Sequence, residues 1–252
     1  MSEGLSVAII TRNEEKHLAR TLQSARFADE IIVVDSGSTD ETLSIAREHG
    51  CCIFDRDWPG YGAQKNFAID QASREWVLCL DADEEVSPEL ARSVADVVSG
   101  EKSGYDIYSF PRLTLFIDRW MRHGGWYPDW QVRLFRKGAA HYNDHPVHAA
   151  IVPDRPAGRL RGDLLHYIYE AVEDYVGRVD TYSRLMAQVE IKQGRRKPAA
   201  CSLVWAVAEK LLEVYVYKRG FLDGRHGFVA AGLAAWGVFL RTARVRWPEQ
   251  ER

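Results

Sequence analysis

The stretch Trp76-Val-Leu-Cys-Leu-Asp-Ala-Asp83 decides the fold. Its apolar run makes a short buried strand that closes on two carboxylates in a D-x-D step. A carboxylate there is costly unless it is solvated, paired or bound to a cation. Residues i and i+2 leaving a strand point the same way, so Asp81 and Asp83 can approach one ion. Oxygen ligands at that spacing suit Mg²⁺ or Mn²⁺, which bind carboxylates together with substrate phosphates.

Two earlier apolar runs end in the same manner. Leu5-Ser-Val-Ala-Ile-Ile10 runs into Thr11-Arg-Asn-Glu14, and Glu30-Ile-Ile-Val-Val34 runs into Asp35-Ser-Gly-Ser-Thr-Asp40. Strands alternating with helical segments over residues 5–100 predict a mostly parallel, Rossmann-like α/β sheet flanked by helices. In such sheets ligands bind outside the carboxyl ends of the strands, so three loaded ends predict one site. Thr11 to Glu14 and Ser38 to Glu41 each have the form of a capping box, which predicts helices starting there. Residues 51–54 read as a third strand and 63–73 as a helix. Ser87-Pro88 opens another helix, to about residue 98.

The later chain reads differently. Residues 105–110, 113–117 and 131–135 are strand-like, around an aromatic, Gly-rich loop at 120–130. Residues 168–194 predict a long polar helix. Residues 199–216 and 228–240 are strongly apolar helical segments, separated by Tyr217-Lys-Arg-Gly-Phe-Leu-Asp-Gly224. The expected organisation is an α/β domain over 1–166 and a helical extension over 167–252, associated with a membrane or a partner.

The 252 residues are 46% hydrophobic with a net charge of -3, which excludes an electrostatic footprint for nucleic acid. The 4 cysteines form no C-x-x-C pair, as expected of a reducing compartment. Met1-Ser-Glu-Gly leads straight into a strand, so no signal peptide is expected. No uncharged apolar run reaches about 18 residues, so no conventional membrane span is expected.

Thr11, Arg12, Asn13 and Glu14 offer donors and acceptors to a base or ribose, although a helix cap alone would explain Thr11 and Glu14. Asp35 is placed to accept from a ribose hydroxyl or a base N–H, or else to close its own turn. Gln64-Lys65-Asn66 opens a helix after a Gly loop, where Lys65 can meet a phosphate. Trp120, Trp126, Tyr127 and Trp130 surround Asp129. Aromatic faces suit sugar rings, so Trp126 and Trp130 are candidate acceptor contacts and Asp129 the candidate general base. The other reading of this loop is a packed element anchored by tryptophan. His145, His148 and His166 are candidate ligands or core histidines. Arg195-Arg-Lys197 and Lys218-Arg219 flank an apolar helix, the pattern of an interfacial membrane contact or of a helical hairpin.

Together, Ile9-Ile-Thr-Arg-Asn-Glu14, Val33-Val-Asp-Ser-Gly-Ser-Thr-Asp40, Gln64-Lys-Asn66 and Leu80-Asp-Ala-Asp-Glu84 resemble the inverting family 2 glycosyltransferases of GT-A fold. Gly124-Gly-Trp-Tyr-Pro-Asp-Trp-Gln-Val-Arg-Leu-Phe135 and Gly220-Phe-Leu-Asp-Gly224 are similar to a narrower group, the bacterial lipopolysaccharide-core β-1,4-glucosyltransferases. The resemblance implies a metal-dependent hexosyltransferase using a nucleotide-diphosphate sugar, UDP-glucose first, with a glycolipid acceptor. It puts Thr11, Asn13, Glu14 and Asp35 near the nucleotide, Lys65 and Asp81 near the ribose and diphosphate, and Asp83 on the metal. Asp81 and His148 complete the expected metal set. Where the group often carries His-Glu, this chain has His148-Ala149. The expected location is cytoplasmic, peripheral on the inner membrane. Two alternatives stand beside this reading: a nucleotidyltransferase, which would want a Gly-rich triphosphate loop that Thr11-Arg-Asn-Glu14 lacks, and a non-catalytic binder of sugar nucleotides or glycans.

Overall fold

The computed structural model describes residues 2–101, 104–143, 149–194 and 200–248. In chain order the elements are β1 (Ser2–Thr11), α1 (Leu18–Ser24), β2 (Glu30–Asp35), α2 (Thr42–Glu48), β3 (Cys52–Asp55), α3 (Tyr61–Gln71) and β4 (Arg74–Asp81). There follow β5 (Glu84–Val86), α4 (Pro88–Val98), β6 (Ile107–Phe116), β7 (Arg119–Trp120), β8 (Asp129–Arg136), β9 (Gly158–Arg159) and β10 (Leu164–Tyr169). The chain ends in α5 (Val172–Lys192), α6 (Ala200–Leu212) and α7 (Gly224–Arg246), the last two joined by a π-turn and a 3₁₀ turn. Two compact units result: Met1–Arg112 with Asp129–Tyr167, and Leu113–Pro128 with Ile168–Arg252.

The sheet runs β3-β2-β1-β4-β8-β6-β10-β5. β3, β2, β1 and β4 are parallel, while β8 is antiparallel to both β4 and β6. This is the expected α/β class, with a parallel half built from the N-terminal alternation. β1 is apolar on both faces because helices cover both. Val7 and Ile9 pack with α1 and α4 through Leu18, Leu22, Leu90 and Val94. Ala8 and Ile10 pack on the other side with Ala68 and Ile69 of α3. Ser87 caps α4 by accepting from the Leu90 amide at 3.3 Å, with Pro88 at its first position.

Strand register brings the polar ends together. Thr11 lies opposite Asp35, and Ile10 lies opposite Asp81. The carboxyl ends of β1, β2 and β4 are therefore level.

Several expectations are corrected. Neither capping box forms: α1 starts at Leu18 and α2 at Thr42, without a side-chain cap on either. The two predicted strands at 105–110 and 113–117 are one strand, with Pro111 inside it opposite Trp130, beyond a register shift at Tyr108/Ser109. Residues 168–169, expected to be helical, end β10. One helical stretch, Gly220–Arg246, is long and apolar enough to cross a membrane by length and composition.

Candidate active site

The residues that resemble helix caps brace two loops against each other. Asn13 takes φ 54°, a left-handed conformation that asparagine tolerates better than most residues. Its amide donates to Ser38 Oγ at 2.9 Å, and its Oδ1 accepts from the Thr39 amide at 2.8 Å. The Glu14 amide donates to Thr42 Oγ1 at 2.7 Å, and the Glu15 amide to Asp40 at 3.2 Å. Local polar pairing thus displaces the helical start that the sequence pattern predicts. Arg12 stands exposed on this rim. Thr11 is buried, and its hydroxyl has no hydrogen-bond partner among the described residues.

Asp35 closes its own turn. Its Oδ2 accepts from the Gly37 and Ser38 amides at 2.9 and 2.8 Å, and its Oδ1 from the Ser38 hydroxyl at 2.5 Å. It is 1% exposed, so of the two readings offered for it the turn acid is the one seen.

All three polar residues of the Gln64-Lys65-Asn66 run are used. Gln64 is buried and donates to Ser36 Oγ at 2.9 Å, tying α3 to the β2 loop. Asn66 pairs with both backbone groups of Tyr142, at 2.9 and 2.8 Å. Lys65 is buried, salt-bridged to Asp81 and 5.0 Å above the Tyr142 ring.

From Asp81 a line of alternating charge runs across the sheet. Asp81 Oδ2 accepts from Arg133 at 2.9 Å. Arg133 also reaches Glu84 at 3.4 Å and Tyr142 Oη at 3.0 Å. Glu84, fully buried, accepts from Arg112 at 3.3 Å and from the Asp81 amide at 2.9 Å. Arg112 holds Asp129 Oδ2 with two N–H groups, at 3.0 and 2.7 Å. Burial opposes ionisation of Asp81, but the Arg133 guanidinium and the Lys65 ammonium outweigh it and hold its carboxyl well below the usual range. Asp81 was expected among the metal ligands. In the structure both of its oxygens are on cations, Lys65 and Arg133.

Asp83 is placed differently. β10 pairs antiparallel with β5, setting His166 opposite Glu84. That brings His166 Nε2 to 3.4 Å from Asp83 Oδ2, and the Tyr167 amide donates to the Asp83 carbonyl at 3.0 Å. Burial pushes the Asp83 carboxyl up, yet His166 pulls it down further, below its ordinary value. An oxygen and an imidazole donor side by side fit a divalent ion that takes its other ligands from a diphosphate and water. No group of three or more His, Cys, Asp or Glu side chains among the described residues forms a complete cage. His148, expected in the metal set, lies outside the described residues, as does His145.

Glu14 reports the local charge balance. Burial first, then the carboxylates of Asp83, Asp40 and Asp81, push its carboxyl up from 4.5 to about 7. The carboxylates of Asp83, Asp40 and Asp81 thus lie close enough to Glu14 to oppose its ionisation.

Glu14 also makes stability depend on pH. A carboxyl whose pKa is raised on folding binds more protons folded than unfolded between pH 4.5 and about 7. Its unfavourable contribution is absent below pH 4.5 and complete above about 7. Glu14→Gln should therefore stabilise the protein at pH 8 by about 1–3 kcal/mol, after allowance for solvent screening. The gain should vanish near pH 4.5. Thermal melts in chelator at the two pH values check this. A variant no more stable than the parent at pH 8 would contradict it.

Asp129 opens β8. Its Oδ1 accepts from Gln131 at 2.8 Å, leaving that oxygen room for another donor, and the side chain is 37% exposed. Trp130 is exposed, with the Arg159 guanidinium 4.5 Å from its ring centre. Trp126 belongs to the other unit, where its ring meets Phe116, Tyr169 and Tyr175 at 5.5–5.7 Å. Of the two readings offered for Trp126, packing is the one seen.

The sequence pattern did not mark Arg133, Arg112 and Glu84 as parts of the site and left His166 between ligand and core histidine. A signal for the arginines was present: Arg133 lies at an inward position of an apolar strand, where an unpaired guanidinium is untenable.

Residues 6–157 match the family described as Glycosyl transferase family 2. The chain is similar to an uncharacterized glycosyltransferase of Rickettsia typhi, 31% identical over 96% of this chain and 86% of that protein. It is also similar to the lipopolysaccharide core biosynthesis glycosyltransferase LpsC of Rhizobium meliloti, 30% identical over 96% of this chain and 91% of that protein. Among solved structures it aligns with S. aureus TarS at 15% identity and a TM-score of 0.44, over 97% of this chain and 91% of that one.

Proposed function

The chain belongs to glycosyl transferase family 2, and from that premise we propose that it moves a hexose, glucose first, from a UDP-linked donor to a lipid-borne saccharide of the lipopolysaccharide-core type. The observation that carries the donor half is the crowd of carboxylates at three level strand ends, beside the Asp83–His166 pair. A diphosphate is itself anionic, so it approaches such a site only with a cation between them. Asp83 and His166 would hold that Mg²⁺ or Mn²⁺. When bound, the ion supplies charge neutralisation for the departing diphosphate.

The remaining chemistry belongs to the protein. The loops over 11–15 and 36–42 form the floor for the nucleoside, with the Thr11 hydroxyl lacking a partner among the described residues. Asp129 accepts the proton of the acceptor hydroxyl through its less engaged oxygen. As that proton leaves, the hydroxyl oxygen bonds to the anomeric carbon. The bond from that carbon to the diphosphate oxygen breaks on the opposite face, and its electron pair departs with the nucleoside diphosphate. Configuration inverts. Arg112 aims Asp129, and Glu84 fixes Arg112. The acceptor class is supported by the similarity to LpsC. With a lipid-borne acceptor, the reaction takes place at the cytoplasmic face of a membrane.

Donor hydrolysis tests the reading without knowledge of the acceptor. Purified protein should release UDP slowly from UDP-glucose in Mn²⁺ and stop in chelator. A folded protein that binds the donor but never cleaves it would point to a non-catalytic binder.

A further inference from the structure

Residues 213–228 of the second unit build a rigid apolar knuckle. A π-turn over Glu213–Tyr217 and a 3₁₀ turn over Gly220–Asp223 lead into α7. The turns are locked by close backbone approach. A Cβ on Gly220 would lie 2.6 Å from the Val214 carbonyl oxygen, and one on Gly227 only 1.8 Å from that of Gly220. Asp223, 1% exposed, accepts from the Arg122 and His123 amides at 3.0 and 2.7 Å. The residues beside this buried acid point outward: Phe221 and Leu222 are each 47% exposed, next to Tyr217 at 80% and Phe228 at 59%. The Tyr215 ring joins Phe221 and Phe228 into one patch, at 6.3 and 5.7 Å. A contiguous apolar patch on a well-fixed turn marks an interaction surface.

Charge selects the occupant. Lys218, Arg219 and Arg225 are exposed around the patch, with Glu213 2.5 Å from Lys218 and Asp118 3.7 Å from Arg225. Residues 213–228 carry Lys218, Arg219 and Arg225 against Glu213 and the buried Asp223, in a chain whose net charge is -3. Basic and aromatic residues bordering an apolar surface match an anionic bilayer interface. Gly220–Arg246 has the length and composition of a span, but its stretch free of Lys, Arg, Asp and Glu, residues 226–240 between Arg225 and Arg241, is shorter than the roughly 20 residues that cross hydrocarbon. Arg244 is also bonded to the Asp180 carbonyl at 3.0 Å, which holds α7 against α5.

We propose that the knuckle of Tyr217, Phe221, Leu222 and Phe228, with Lys218, Arg219 and Arg225, seats the protein on the surface of an anionic phospholipid membrane without crossing it. The idea rests on the lipid-borne acceptor for its purpose, but its test needs neither donor nor acceptor. The full chain is sedimented with vesicles of phosphatidylcholine alone, or with roughly a third phosphatidylglycerol. Expected is pelleting with the anionic vesicles only, weakened by about tenfold between about 0.05 and 0.5 M salt. Phe221→Ser with Leu222→Ser should lower vesicle affinity by about tenfold or more, with nucleotide binding and melting unchanged. Arg219→Glu with Arg225→Glu should do the same by removing the charge. Either pair reading out alone, in a variant that still binds nucleotide, supports the surface. A protein that stays in the supernatant with both vesicle types overturns it, as does vesicle binding unaffected in both variant pairs. Concentration-dependent dimerisation lost in the Phe221/Leu222 variant, without vesicle binding by the parent, would assign the face to a second copy instead.

Discussion

Asp129→Asn is expected to lower sugar transfer by about 10²–10⁴-fold, the usual contribution of a positioned general base. Donor affinity should change by less than about threefold, since Asp129 stands apart from the Asp83–His166 pair in the chain of contacts. The substitution is close to isosteric. Asn retains an oxygen to accept from Arg112, and Arg112 keeps Glu84 at 3.3 Å, so the local structure has no reason to collapse. What is lost is the acceptor for the hydroxyl proton. Transfer of labelled sugar to membrane lipid extract at saturating donor reads the effect. Near-normal transfer by the variant would move the base to another residue.

Arg133→Met is expected to cost about 3–5 kcal/mol, the usual result of removing one partner from a buried charge network. Arg133 is 4% exposed and serves Asp81, Glu84 and the Tyr142 hydroxyl at once. Without it Glu84, which is fully buried, retains only Arg112 and the Asp81 amide. Methionine fills the volume, so the penalty comes from uncompensated carboxylate and not from a cavity. The midpoint of thermal unfolding should fall by roughly 6–20 °C. Glu84→Gln in the same chain should restore part of the loss, because it removes a buried charge left with Arg112 as its remaining cation. A single variant melting with the parent would mean that the network adds nothing net to stability. A double variant less stable than the single would contradict the charge argument.

The parallel half of the fold was legible because its signals are local. Apolar runs closing on polar ends fixed β1, β2 and β4, and Ser87-Pro88 marked α4 correctly. The helix starts at Thr11 and Ser38 were misread because side chains that cap helices also brace loops, and only the partner loop decides between the two. Asn13 found Ser38 and Thr39 across 25 and 26 residues, a pairing that no single segment displays. The same holds for the site. Asp83 and Lys65 stand in short motifs, whereas Arg112, Arg133 and His166 reach the site through antiparallel pairings of β6, β8 and β10. His166 is the clearest case: its strand pairs with β5, which is only three residues long and follows the D-x-D step directly. Trp126 shows an ambiguity of another kind, since an aromatic ring suited to a sugar is equally suited to Phe116 and Tyr175.

On the proposed reading, a divalent cation at Asp83 and His166 lets a nucleotide diphosphate approach the carboxylate-rich strand ends. Calorimetric titration of the protein with UDP and a panel of sugar nucleotides, with and without Mn²⁺, tests it directly beside Asp83→Ala. Expected is binding of one nucleotide only when the metal is present, and its loss in Asp83→Ala while that variant melts like the parent. Equal binding in chelator, or unchanged metal-dependent binding by Asp83→Ala, would contradict it.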